Sequence, residues 1–383
     1  MHFEYATASR IVFGPGSIKD LAPAAASFGK RALFVRGKSG ERTAQAVERL
    51  KMAGVEVREL AVSGEPTVEV VLRGLDQARV ERCELVIGVG GGSVIDTGKA
   101  VAVLLANPGD IFDYLEVVGK GAPLKQPSAP YIAAPTTGGT GTEVTRNAVI
   151  AVSEKRVKVS LRSPTMLPKI AIIDPELTYG LPREVTATSG LDALTQLIEP
   201  FLSNAANPMT DAICREGIRR AARSLRKAYE SDDHAAREDM SLAAMFSGMA
   251  LANAKLGAAH GFAGPIGGMF AAPHGGICAR LLPLVMETNY YAIDDREQDS
   301  PVLPRFKEVA QMLTGSANAT AKEGVRWLHE LCSDLKVQPL GAYGVTAADF
   351  PAIIEAAKKS SSMKGNPIAL SDSELKSIME QAV

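Results

Sequence analysis

The apolar positions in the first half of the chain fall into short runs: RALFVR, VEVREL, CELVIGVG, PYIAAP and KIAIID. Several of these runs are separated by polar-faced stretches of helical length. Short apolar, β-branched runs bounded by turn residues predict strands, and the stretches between them predict crossover helices, so the rhythm points to an α/β sheet. AVIAVS and VKVSLR are two further strand candidates, and SVIDTGKAVAVLLA predicts a helix with Val94, Ala100 and Leu104 along its inner face. After Asp174-Pro175 and Leu181-Pro182 the pattern changes to long Ala- and Leu-rich stretches of helical period, such as DAICREGIRRAARSLRKAYE and DMSLAAMFSGMALANAKLGAAH. The boundary is therefore expected near Pro182, with an α/β domain over residues 1–182 and an all-helical domain over 183–383. Of the loop-like breaks, GDIFDYLEVVGKGAPLKQPSAP reads either as a mobile lid or as an ordinary surface excursion, and a second polar break spans Asp294 to Pro304.

A chain of 383 residues is long for one hydrophobic core, which agrees with two domains. The net charge of −1 provides no field to attract nucleic acid or an anionic membrane, so small molecules are the expected partners. No apolar run approaches the roughly 20 residues needed to span a bilayer, and MHFEYATASR lacks the apolar core of a signal peptide, so a cytoplasmic location is expected. Cys83, Cys214, Cys278 and Cys332 form no C-x-x-C pair and read as reduced, mostly buried thiols.

Two glycine-rich segments carry candidate chemistry. The run Gly90-Gly91-Gly92-Ser93 follows the apolar strand LVIGV and opens a helix. Backbone without Cβ atoms there admits a pyrophosphate, and the free N–H groups of the helix start attract it. Asp96, in the first turn, is placed to bond either the turn or a ribose. The second segment, PTTGGTGTE, follows the strand YIAAP, and the hydroxyls of Thr136, Thr137 and Thr140 suit the polar groups of a dinucleotide. Either segment alone also fits an ordinary tight turn. Two of them at strand ends of one α/β domain favour a nucleotide, because ligands of such sheets gather at the carboxyl ends of strands.

GGGSVIDTGKA, PTTGGTGTEVT, DPELTYGLPREVTATSGLDALTQLIEP and AHGFAGPIGGMFAAPHGGICARLLP occur in that order over roughly residues 88 to 283. With the opening RIVFGPGSIKDL, they resemble the iron-containing alcohol dehydrogenase family. The resemblance implies an α/β dinucleotide-binding domain of dehydroquinate synthase-like fold, an all-α C-terminal domain, and a substrate cleft with a divalent metal, Fe2+ or Zn2+. It places the metal on Asp192, Gln196, His260 and His274, with Asp192, His260 and His274 as catalytic residues. Asp192 and Gln196 share a helix face at i and i+4. Glutamine stands where the family pattern has histidine, and Gly264 stands where many members carry a further histidine for proton movement, so weak occupancy is expected and the usual relay is not assumed.

The resemblance also gives Lys158 a role near the nicotinamide or its ribose. Where many NAD-using members carry an acidic residue at the end of the second strand, this chain has Arg36-Gly37-Lys38-Ser39. Cations and a hydroxyl in place of a carboxylate favour NADP over NAD. The expected activity is reversible hydride transfer between a nicotinamide and a small alcohol or carbonyl substrate, metal-assisted, in a homodimer or larger homo-oligomer to which the strand near Phe3 to Val12 contributes. Two alternatives are a metal-independent reductase resembling the maleylacetate reductases, with the histidines donating hydrogen bonds, and a nucleotide-binding protein that has lost catalysis.

Overall fold

The computed structural model describes residues 2–155 and 157–383. The chain divides into two compact units, one of residues 6–137 and 141–179, the other chiefly of Gly180–Val383, to which residues 2–5 and Gly138–Thr140 also belong.

The first unit contains β1 (Arg10–Phe13), β2 (Arg31–Gly37), β3 (Glu56–Val62), β4 (Leu85–Gly90), β5 (Tyr131–Pro135), β6 (Asn147–Val152), β7 (Val157–Arg162) and β8 (Ile170–Ile173). Six of them form one sheet in the order β1-β8-β5-β4-β2-β3, and every neighbouring pair is parallel. Parallel neighbours require crossovers, supplied by α1 (Leu21–Ala26), α2 (Ala44–Met52), α3 (Val68–Val80) and α4 (Gly92–Ala106). Alternate side chains of each strand enter opposite cores. Leu33, Val35 and Val86 join one apolar cluster, whereas Phe34, Leu85 and Ile87 join the other. Burial on both faces explains why these strands read as unbroken apolar runs.

Three sequence expectations change here. The strands β6 and β7 pair antiparallel as a separate hairpin and take no part in the main sheet. Because α4 packs against both β4 and β6, it is buried from Val94 to Leu104 on nearly every side, and the single inner face expected for it is too narrow. The N-terminal strand begins only at Arg10, as the sheet edge beside β8, and residues 2–9 contain no strand. The long loop is tied down: Asp110 caps α5 (Ile111–Tyr114) with a capping box, and Asn107 Oδ1 accepts from the backbone of Lys125 at 2.9 Å and of Gln126 at 2.8 Å. That anchoring favours a surface excursion over a lid.

The second unit is built from α6 (Arg183–Leu202), α7 (Pro208–Ser231), α8 (His234–Asn253), α9 (Ala258–Met269), α10 (His274–Arg296), α11 (Leu303–Thr314), α12 (Ala321–Asp334), α13 (Phe350–Lys359) and α14 (Asp372–Ala382). The apolar stretch DMSLAAMFSGMALANAKLGAAH is two helices, because the chain turns through 95° between α8 and α9. Among the described residues no single helix is long and apolar enough to cross a membrane; the bent pair α8 and α9 meets that test only jointly, by length and composition. Of the polar break expected from Asp294 to Pro304, only residues 297–302 link α10 to α11, and the rest is helical.

Candidate metal centre and nucleotide loops

Three helices of the second unit converge on Asp192. This residue sits in the middle of α6 and is 1% exposed. His260 enters from the first turn of α9, with Nε2 3.5 Å from Asp192 Oδ1. His274 is the first residue of α10, with Nε2 3.8 Å from the same oxygen, and its side chain is 39% exposed. The placement of His274 depends on its neighbour. A Cβ on Gly275 would lie well inside contact distance of the Thr188 carbonyl oxygen and 3.3 Å from Asp192 Cβ, so only glycine lets the start of α10 approach α6 this closely.

The polar groups of the cluster are left in an instructive state. Asp192 Oδ1, Gln196 Oε1 and His260 Nε2 are all buried and have no hydrogen-bond partner. Buried polar atoms are almost always paired, because leaving one bare costs roughly 1–3 kcal/mol. The other side of each group is satisfied. Gln196 Nε2 donates to Asp192 Oδ2 at 2.9 Å, and Glu199 Oε2 lies 2.6 Å from His260 Nδ1. Since Glu199 Oε1 accepts from Ala259 N at 2.7 Å and Oε2 faces His260 Nδ1, the carboxylate is the acceptor for the Nδ1 hydrogen, and the contact turns Nε2 toward Asp192. Burial alone would push the Asp192 carboxyl up, but the two imidazoles facing it outweigh burial and hold it below the usual carboxylate range. An anionic oxygen and an imidazole nitrogen aimed at one point fit a divalent cation, which would take the place of the ring proton between them.

Two members of this neighbourhood were not singled out from the sequence. Glu199 lies one turn beyond Gln196 in α6 and looks like an ordinary helix carboxylate. Cys278 is fully buried in α10, one turn after His274, with Sγ 3.7 Å from His274 Nε2. Asp192, His260, His274 and Cys278 each offer a ligand atom, all within 4.8 Å of one another. The spacing in HGGIC was a readable signal, since residues four apart share a helix face. Gly264 lies one turn after His260, and a Cβ there would meet nothing within 4 Å.

In the first unit, β2 and β4 are neighbours, yet the chain leaves β2 for β3 on one side and β4 for β5 on the other. The strand order therefore reverses between them, and their carboxyl ends carry Gly37 and Gly90. Gly91 is the N-cap of α4, so the N–H groups of Gly92 and Ser93 open that helix. Thr136 N donates to Gly90 O at 2.9 Å, and a Cβ on Gly91 would sit 3.5 Å from Thr137 Cγ2, which places the two glycine-rich segments side by side. Thr140 instead belongs to the helical unit, where Ser247 Oγ donates to the adjacent Gly139 carbonyl at 3.3 Å.

Asp96 has both oxygens engaged. One accepts from the Thr142 hydroxyl and the other from Val149 N at 2.9 Å, so it ties α4 to the second glycine-rich segment and to β6 rather than bonding its own turn. Lys158 Nζ pairs with Glu65 at 3.0 Å. Lys38 and Ser39 are exposed, and Arg36 beside them is paired with Glu59 while bonding the carbonyls of Gly37 at 3.0 Å and Lys38 at 3.2 Å.

A parallel sheet with a glycine-rich strand end at its switch point suits a dinucleotide, and a buried carboxylate with imidazoles in the helical unit suits a divalent cation, the two requirements of a metal- and nicotinamide-dependent dehydrogenase. The chain belongs to the iron-containing alcohol dehydrogenase family: the profile "Iron-containing alcohol dehydrogenase" matches residues 8–175, and "Fe-containing alcohol dehydrogenase family, C-terminal" matches residues 186–383. It is 35% identical to 1,3-propanediol dehydrogenase from Klebsiella pneumoniae, covering 99% of this chain and 98% of that one. It is 33% identical to NADPH-dependent butanol dehydrogenase from Clostridium saccharobutylicum, covering 97% and 95%. A crystal structure of 1,3-propanediol oxidoreductase superposes with a TM-score of 0.92 at 33% identity, over 100% of both chains. The protein is thus an NAD(P)-dependent oxidoreductase acting on CH–OH groups, and the readings as a maleylacetate-type reductase or a decayed nucleotide-binding protein are not favoured.

Proposed function

We propose that this enzyme interconverts small alcohols or diols and their aldehydes with the help of a divalent metal held by Asp192, His260 and His274, with Gln196 beside them. The observation that supports this most is the trio of unpartnered buried atoms, Asp192 Oδ1, Gln196 Oε1 and His260 Nε2. A cation held there would supply a Lewis acid for the substrate oxygen, and a bound nicotinamide would supply the hydride donor or acceptor. The protein's own part is positional. Glu199 fixes the His260 tautomer, Gln196 steadies the far oxygen of Asp192, and the exposed edge of His274 leaves one side of the cluster open.

Gly90, Gly91, Gly92 and Ser93 are the pyrophosphate contacts of this reading, with Thr136 and Thr137 at the neighbouring strand end and Lys158 further along. Gly37, Lys38 and Ser39 meet the adenosine ribose, where an exposed lysine and a hydroxyl suit the 2′-phosphate of NADP. The relative named an NADPH-dependent butanol dehydrogenase supports the same preference. Work as a cytoplasmic homo-oligomer completes the proposal.

The test is a metal assay on the purified enzyme joined to NADPH- and NADH-dependent reduction of an aldehyde panel, with and without chelator. Chelation is expected to abolish turnover, added divalent metal to restore it, and Gln196→His to slow metal loss on dialysis. A metal-free enzyme fully active in chelator would sink the metal assignment.

A further inference from the structure

We infer that Cys278 is the fourth protein donor of this centre, so that the chain replaces the missing histidine with a thiolate rather than with Gln196. The inference rests on the metal reading above and asks which side chains complete it. Gln196 donates its amide hydrogen to Asp192 Oδ2, and its unpartnered Oε1 is a neutral oxygen that adds no charge and little affinity for a cation such as zinc. Cys278 approaches from the opposite helix. It is fully buried and lies one turn after His274 in α10.

The separations carry the argument. Bonds of about 2.0–2.3 Å to oxygen, nitrogen and sulfur in a tetrahedral zinc site put neighbouring donors about 3.3–3.7 Å apart. Here His260 Nε2 and Asp192 Oδ1 are 3.5 Å apart, His274 Nε2 and the same oxygen 3.8 Å, and Cys278 Sγ and His274 Nε2 3.7 Å. Three of the six separations among these four donors therefore lie near tetrahedral edges and all six are within 4.8 Å, and two of the donors, Asp192 Oδ1 and His260 Nε2, are buried atoms without partners. A thiolate is a soft ligand. It shifts preference away from hard, oxygen-seeking cations and toward zinc and cobalt. The centre is therefore a carboxylate, two imidazoles and a thiolate, with a substrate oxygen entering as a fifth ligand on the open side at His274, and it retains zinc better than manganese or magnesium.

Cobalt(II) reports the ligand set directly, because thiolate coordination adds an intense near-ultraviolet charge-transfer band that oxygen and nitrogen donors do not produce. Wild-type protein is loaded with cobalt(II) alone, alongside Cys278→Ser and Asp192→Asn. The expected result is one cobalt per chain with the band in wild type, loss of the band but retention of the visible cobalt bands in Cys278→Ser, and weaker zinc retention by Cys278→Ser, on the order of tenfold or more in competition with a chelating dye. Wild-type protein that takes up cobalt without the band, while Asp192→Asn takes up none, overturns the role of Cys278 and leaves the site on Asp192 and the histidines standing. Wild-type protein that takes up no cobalt overturns both. The spectrum of the wild type decides even if the serine variant fails to fold.

Discussion

Glu199 Oε2 stands 2.6 Å from His260 Nδ1, both groups buried, and the contact turns the other nitrogen of the ring toward Asp192. Glu199 is a positioning residue in this arrangement: it sets which nitrogen carries the hydrogen. Removing such a partner typically costs about 10–100-fold in metal affinity. Glu199→Ala is expected to lose zinc that much more readily in chelator competition, while Glu199→Gln, which keeps an acceptor oxygen, recovers part of the loss. Equal retention by wild type and both variants would show that the tautomer does not matter to the site.

Gly275 sets the distance between two helices. Its missing Cβ is the space into which the Thr188 carbonyl fits, and Asp192 Cβ is the next atom beyond. Gly275→Ala should push the start of α10 off α6, at a cost of about 1–3 kcal/mol for overpacking. The accompanying loss of metal should exceed that of Gly276→Ala, whose Cβ would meet Tyr343 Oη only at 3.3 Å. Melting temperature and metal content of the two variants, compared side by side, check this.

Gly37 has open space around it, with nothing within 4 Å of a Cβ. Gly37→Asp is therefore expected to fold normally and to place a carboxylate at the end of β2, beside the switch point. Repulsion of a 2′-phosphate should lower kcat/KM with NADPH by roughly tenfold or more and leave NADH less affected. An unchanged ratio of the two values would move the ribose site elsewhere.

Burial pushes the Glu143 carboxyl up to about 7, close to buried Lys99, whose ammonium burial lowers to about 8. The folded protein then keeps a proton on Glu143 that the unfolded chain releases above its ordinary carboxylate pKa of 4.5. This contribution to stability is complete below that value and is lost as pH rises through about 7, a fall of roughly 3 kcal/mol. Glu143→Gln should remove this part of the pH dependence. Urea midpoints of wild type and variant at about pH 5 and about pH 7 test it, the variant being expected to lose less over the interval. Parallel changes in the two proteins would mean that Glu143 is ionised in the fold throughout.

The parallel strands, the long helices and the glycine-rich strand end were legible in the sequence because each is a local pattern: apolar runs of strand length, a helical period, glycine where a helix begins. Asp192, His260 and His274 were legible too, through the resemblance of the segments that carry them. What the pattern does not encode is which face of one element meets which face of another. The burial of α4 on nearly every side follows from β6 of the hairpin packing against it as well as the main sheet, and the commitment of Asp96 to Thr142 and Val149 follows from the same packing. Cys278 and Glu199 gained their places beside the histidines only when α6, α9 and α10 met, 61 positions separating Glu199 from the ring it orients. Periodicity tells a helix which side to bury. The neighbour that side finds, and hence the chemistry of a buried carboxylate or thiol, is decided by tertiary packing alone.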